Sequence, residues 1–127
     1  MRYPASIATV ITAASIGVAM AQQAQVQQAA NYRQLSAQEI RTRVIGMSIT
    51  DDAHWSDRFY RDGTLKSYDL GHLQTGIWKL AGNELCLSRK GKTTTTDCLE
   101  IWAARDAIQY RRDGVVVADG YLREIPK

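Results

Sequence analysis

From Met47 onward, apolar and polar residues alternate in short runs. Turn residues separate the runs at Asp62-Gly63, Gly71, Gly82-Asn83, Gly91, Asp113-Gly114 and Gly120. A period of two with breaks at strand-length intervals predicts a sandwich or barrel. The candidate strands are Met47–Asp51, Trp55–Arg61, Thr64–Asp69, Thr75–Leu80, Glu84–Arg89, Thr95–Trp102, Ala107–Arg112 and Val115–Arg123. The Asp-Gly pairs in FYRDGTL and YRRDGVV are strong hairpin signals, because type I′ turns need positive φ at both central residues. All connections are short, so sequence neighbours are expected to pair antiparallel.

Ahead of the strands the period changes. Ser36 and Glu39 form an S-x-x-E capping box, and Leu35 with Ile40 fits the hydrophobic staple around it. Ile40 and Val44 share one helical face, and Gly46 is placed to be the C′ residue. LSAQEIRTRVIG therefore reads as one helix, too short to be stable alone, that must dock on the strands.

Two turns test the strand register independently. A two-residue turn at Gly82-Asn83 puts Leu80 opposite Leu85, Trp78 opposite Leu87 and Lys79 opposite Cys86. A second loop centred on Lys92 puts Leu99 opposite Leu85, Glu100 opposite Glu84 and Cys98 opposite Cys86. Both hairpins place the apolar residues on one side, and a slip of one residue would invert every side chain. Asp97, opposite Leu87, is the misfit and is assigned to a rim or a bulge. In the last hairpin Ile108, Tyr110, Val115 and Val117 are expected to share the apolar face. The fold read from this pattern is mainly β: an antiparallel meander of about eight strands, small and barrel-like, closed or nearly closed, with the helix plugging one end. Trp78, Leu80, Leu85, Leu87, Leu99, Ile101 and Tyr110 are expected to fill its interior.

The N-terminus adds a location. Arg2 precedes an apolar stretch, Ile7–Val18, and Ala19-Met20-Ala21 is an A-x-A cleavage site, so residues 1–21 read as a signal peptide. The apolar run from Ala5 to Ala21 contains Ser6, Thr9, Thr12 and Ser15 and falls short of the about 20 apolar residues of a spanning helix. No stable membrane span is expected after cleavage. Residues 22–34, opening with uncharged QQAQVQQAAN, read as a low-complexity leader, and residues 35–127 as the single domain. The net charge of +3 falls by one with Arg2, and the charge signs alternate along the chain. No basic stripe points to nucleic acid. Arg89-Lys90-Lys92 reads as a solvated loop tip.

Cys86 and Cys98 are the only cysteines. Facing each other across a hairpin, they predict a disulfide worth roughly 3 kcal/mol in the chain-entropy account. It would lie on the solvent side of the sheet, in an oxidising compartment. Their spacing has no C-x-x-C character, and no nearby histidine completes a zinc set. His54 and His72 match no compact metal motif, and no G-x-S-x-G elbow is present. Asp51, Asp52, Asp57 and Glu100 are available carboxylates but form no catalytic pattern. Catalytic residues, metal and cofactor are therefore assigned as none. Trp55 and Trp102 are the candidate binding residues. Trp55 clusters with Phe59, Tyr60 and Tyr68 as the floor of a shallow cup. Trp102 is either an exposed partner contact beside the disulfide or is packed beneath the helix by a twist of its strand.

LSAQEIR, YRDGTL, GIWKLAGNELCL, DCLEIW and RRDGVVV together resemble a group of small exported proteobacterial proteins of unknown function. That group shares an LSxxEI helix, an aromatic-x-x-D-G-T hairpin, a G-x-W strand and two cysteines before a final D-G hairpin. The resemblance spans Leu35 to about Tyr121 and implies a small β-barrel-like domain. G-x-W is also similar to lipocalin-like and bacterial protease-inhibitor barrels, where it lies in the first strand; here Gly76-Ile77-Trp78 lies midway. The function expected is that of a non-catalytic periplasmic or secreted accessory protein that binds or inhibits another envelope or secreted protein. The alternatives are a carrier of a small apolar ligand in the barrel cup and, last, an enzyme.

Overall fold

The strand pattern closes on itself. In a computed structural model, which describes residues 31–90 and 95–127, the elements are β1 (Arg33–Gln34), α1 (Ala37–Arg43), β2 (Met47–Thr50), β3 (Trp55–Phe59), β4 (Thr64–Asp69), β5 (His72–Ala81), β6 (Glu84–Arg89), β7 (Thr95–Ala104), β8 (Ala107–Arg112) and β9 (Val115–Glu124). β2 through β9 form an antiparallel barrel of eight strands, closed by β9 pairing with β2 and β7 with β8. The proposed signal peptide and most of the leader lie outside the described residues. The leader's last residues do not remain apart: Arg33 and Gln34 pair with Ala103 and Trp102, extending β7 beyond the end of β6. Two residues carry too little periodicity to mark a strand, so β1 is decided by the free edge of β7 that it covers.

The helix is built as its caps require. The Ser36 hydroxyl accepts from the Glu39 amide at 3.2 Å, and the Glu39 carboxylate accepts from the Ser36 amide at 3.2 Å. Arg33 then clamps Glu39 through both Nη atoms, and this pairing with the cap contacts holds the Glu39 carboxyl down at about 2. The helix ends at Val44, one residue earlier than expected, so Gly46 with φ 90° is the second residue past the cap. Three bonds fasten this segment to the strand ends it covers: Ala37 N to Asn83 Oδ1, Arg43 Nη2 to the Arg105 carbonyl, and Gly46 N to the Phe59 carbonyl. Leu35, Ile40, Val44 and Ile45 are thereby sealed against Phe59, Leu65, Leu85, Leu87, Ile101 and Ile108. This is the closed end of the barrel.

The two central hairpins pair in the expected register: Leu80 with Leu85, Trp78 with Leu87, Leu85 with Leu99 and Cys86 with Cys98. The disulfide joins residues 12 apart in sequence. Both cysteines lie on the outer face, Cys98 exposed and Cys86 at 8% exposure. Such a bond belongs to an oxidising environment. Among the described residues no helix is long and apolar enough to cross a membrane.

The final hairpin departs from the expected phase. Its turn is Asp113-Gly114, both with positive φ as anticipated, but a bulge shifts the pairing between Tyr110 and Arg111. Tyr110 then opposes Ala118, Ile108 opposes Gly120, and Val115 and Val117 are exposed rather than internal. A bulge adds one residue to one strand and inverts the alternation beyond it. Gly120 is accordingly a mid-strand residue and not a turn. A Cβ there would meet Trp55 Cη2 at 3.1 Å and the Thr50 carbonyl oxygen at 2.9 Å, so its bareness admits the Trp55 ring. Gly76 is bare for a related reason: a Cβ would overlap the Ser88 carbonyl oxygen of β6.

Candidate functional site

Strand direction assigns the barrel's open end. The turns Asp51–His54, Leu70-Gly71 and Asp113-Gly114 gather there, opposite the helix. Inward-facing positions near this end come from alternation: Trp55 and Asp57 on β3, Ser67 and Asp69 on β4, Gln74 on β5, Arg89 on β6, Tyr110 on β8 and Ala118 on β9. They line a mouth cleft of about 360 Å³.

The cleft has an ionic floor. Asp57 is 3% exposed, Tyr110 4% and Ser67 6%, so the carboxylate is effectively inside the protein. Three donors satisfy it: Ser67 Oγ at 2.5 Å, Tyr110 OH at 3.0 Å and Arg89 Nη2 at 3.1 Å. Arg89 Nε also donates to Ser67 Oγ at 2.9 Å, which closes the ring of contacts. A buried carboxylate is tolerable only when paired and fully bonded in this manner. Burial, then the adjacent Asp57 charge, push the Tyr110 phenol well above its usual value, so it remains a donor. Arg89 reaches outward as well, to Asp97 at 3.8 Å, and Asp97 takes Arg112 at 3.2 Å. Asp97, the misfit of the register, is thus a rim residue whose partners are the two arginines.

Trp55 forms the wall above this floor. Its ring lies 5.7 Å from that of Tyr110, tilted by 35°. On the turns and strand ends nearest this opening Leu70, Leu73, Val115, Val116 and Val117 are all exposed; Leu70 retains 70% and Val115 66% of its surface. Single exposed aliphatics are ordinary, but Leu70 with Leu73 and Val115 with Val116 and Val117 make two apolar groups at one end of the barrel.

The sequence-predicted residues divide. Trp55 lies in the mouth. The cup floor expected from Trp55, Phe59, Tyr60 and Tyr68 forms only in part: Tyr68 lines the mouth cleft at its edge with Trp55, and Phe59 and Tyr60 do not. Phe59 is in the core, Tyr60 lies under the Lys66 ammonium at 5.4 Å, and Tyr68 faces outward beneath Arg58 at 4.4 Å. Trp102 is not beneath the helix. It stays on the outer wall in strict alternation, half-buried under Arg111 at 4.1 Å, with its Nε1 donating to Glu100. Arg89 is not part of a solvated tip, since its parity turns it inward; Lys92 lies outside the described residues. His54 is exposed and bonds Asp51 at 2.8 Å. Among the described residues no three His, Cys, Asp or Glu side chains come together to hold a metal. The quartet Asp57, Ser67, Arg89 and Tyr110 is the part that strand patterning left unassigned. Its signal was present, in polar residues at core parity within Trp55-Ser56-Asp57-Arg58-Phe59 and Leu65-Lys66-Ser67.

No family model, curated relative or solved structure matches the chain.

Proposed function

We propose that this protein is an exported, non-catalytic binding protein that engages another envelope or secreted protein through the mouth of its barrel, inhibiting or assisting it. The observation that carries this reading is the concentration of five exposed aliphatic residues at the end of the barrel where a cleft with an aromatic wall opens. Interfaces of this kind pair an apolar surround with a few fixed polar groups. Export is supported by the disulfide and by the A-x-A pattern after the N-terminal apolar run. A non-catalytic role is supported by the floor: Asp57 has its lone pairs occupied, and Tyr110 is displaced away from neutrality instead of toward it. The protein thus presents a rigid, pre-formed surface.

Site-specific photocrosslinking in the producing cell tests this. A photoreactive residue at Leu73 or Val115 should yield one discrete adduct, and the same group at Arg41, on the helix at the closed end, should yield none. Equal adducts from both ends, or none from the mouth, would sink the reading. A second reading, a carrier of a small apolar ligand, draws on the Trp55–Tyr110 wall. The ionic floor weighs against it, because an apolar guest would desolvate Arg89 without replacing its contacts. Native mass spectrometry showing a co-purified small molecule would reverse that order.

A further inference from the structure

A second concavity lies outside the barrel, on the face of β9, β2 and β3. Because Ile49 and Asp57 point inward, their neighbours point out, and cross-strand pairing arranges these in two rows. One row runs Arg123, Ser48, Arg58; the next runs Tyr121, Thr50, Ser56, Tyr68. Small hydroxyl residues occupy the middle of both rows, and long side chains rise on either side. The result is a trough of about 510 Å³. Each arginine lies over the tyrosine of its own side, Arg58 at 4.4 Å from the Tyr68 ring and Arg123 at 4.9 Å from the Tyr121 ring.

The two arginines differ in one respect. Arg123 is neutralised, with Asp52 at 2.9 Å and Asp106 at 3.2 Å. Arg58 lines the same trough, but its Nε is buried without a hydrogen-bond partner, and among the described residues it forms no ion pair. Buried unpartnered donors are scarce in native proteins, and a guanidinium held over a ring is restrained before any anion arrives. We infer that Arg58, with the Ser56 hydroxyl beside it and the buried Ser48 hydroxyl behind, 3.4 Å from that of Ser56, forms a carboxylate-binding subsite for an acidic peptide segment.

Charge and shape select that ligand. Asp52 and Glu124 line the trough together with Arg58 and Arg123, so its charges balance and it suits a single carboxylate and not a phosphate dianion. A carboxylate matches the guanidinium geometry through two parallel N–H···O bonds. The guanidiniums of Arg58 and Arg123 each occupy one face of the tyrosine beside them. The subsite shares Trp55 and Tyr68 with the mouth cleft but is built on the outer side of β2 and β3, and it does not depend on the mouth docking proposed above.

Titration of the purified, disulfide-bonded protein tests the inference, read by nitrogen-15 NMR at the Arg58 side chain and the Ser48 and Ser56 amides. The probes are a tetraglutamate peptide, trigalacturonate and inorganic phosphate. Tetraglutamate should shift all three signals saturably. Arg58→Gln should weaken its binding about tenfold or more, the scale of a charge-assisted hydrogen bond, and Arg41→Gln on the helix should leave it unchanged. Arg58→Lys keeps the charge but not the fork, and should recover only part of the affinity. The amide spectrum of each variant shows whether the barrel is intact. Binding unaffected by Arg58→Gln, full recovery by Arg58→Lys, or no saturable shift would each overturn the inference. So would tighter binding of phosphate or trigalacturonate than of the peptide.

Discussion

The two ends of this barrel are closed by different physics. At the helix end, Leu35, Ile40 and Val44 cover Phe59, Leu65 and Leu87, and only backbone caps and three tethering bonds are polar. At the mouth, a carboxylate, a guanidinium, a phenol and a hydroxyl close the interior, and the aliphatic residues stand outside on the rim. The usual order of apolar inside and polar outside is thus reversed at one end. An apolar plug stabilises without specifying much, since hydrophobic contact has no direction. A hydrogen-bonded ionic floor adds less net stability but fixes geometry, because each member is costly to leave unpaired. The helix end is therefore the fold's anchor, and the mouth is the part shaped to present a surface.

Four substitutions would sharpen or break this contrast. The largest effect belongs to the closed end: Phe59→Ala should cost about 4 kcal/mol in urea unfolding by opening a cavity beneath the helix. A loss under about 1 kcal/mol would show that the plug is not the anchor. At the mouth, Asp57→Ala should cost about 3 kcal/mol, because it strands the Arg89 charge and two hydroxyls. Replacing both partners, Asp57→Leu with Arg89→Met, should recover most of that loss. If the double variant is no better than the single, the floor is not a coupled unit.

Tyr110→Phe should cost about 1.5 kcal/mol near neutrality, the value of a hydrogen bond to a charged acceptor. Its pH dependence carries a sign. The folded phenol titrates above its unfolded value, so the Tyr110 contribution is intact below about pH 10 and declines as pH rises toward the folded value. The wild-type protein should therefore lose stability in alkali more steeply than Tyr110→Phe, as followed by circular dichroism. Parallel alkaline limbs would contradict the burial of that hydroxyl. The smallest effect on stability is expected at the rim. Val115→Asp should change unfolding by less than about 0.5 kcal/mol, as exposed positions do, yet abolish the crosslink from Leu73. A variant that binds normally would remove the rim from the interface.

The legibility of this molecule follows the range of its interactions. The capping box, the turn residues and the two central hairpins are local, and their consequences are read within a few positions. Ser36 and Glu39 cap as their spacing predicts, and Cys86 meets Cys98 because one loop centre sets every pair in that hairpin. The bulge beside Tyr110 was hidden because Val115, Val116 and Val117 are equally apolar in either phase, so the pattern carried no preference. The quartet was hidden for a different reason. Asp57, Ser67, Arg89 and Tyr110 come from four strands, and a polar residue at core parity reads as an error until its partners are in place. Asp97, at core parity opposite Leu87 and next to Arg89, was a further trace of it.

By its sequence alone this chain determined its strands, its capped helix, the central register and the position of its clasp, because backbone sterics, capping and side-chain alternation act over short distances. Barrel closure, the pairing of Arg89 with Asp57 and the burial of Asp57 were decided only by the tertiary structure. Each depends on which strand faces which across the barrel, and that choice is made by the summed burial of the whole core and not by any single segment.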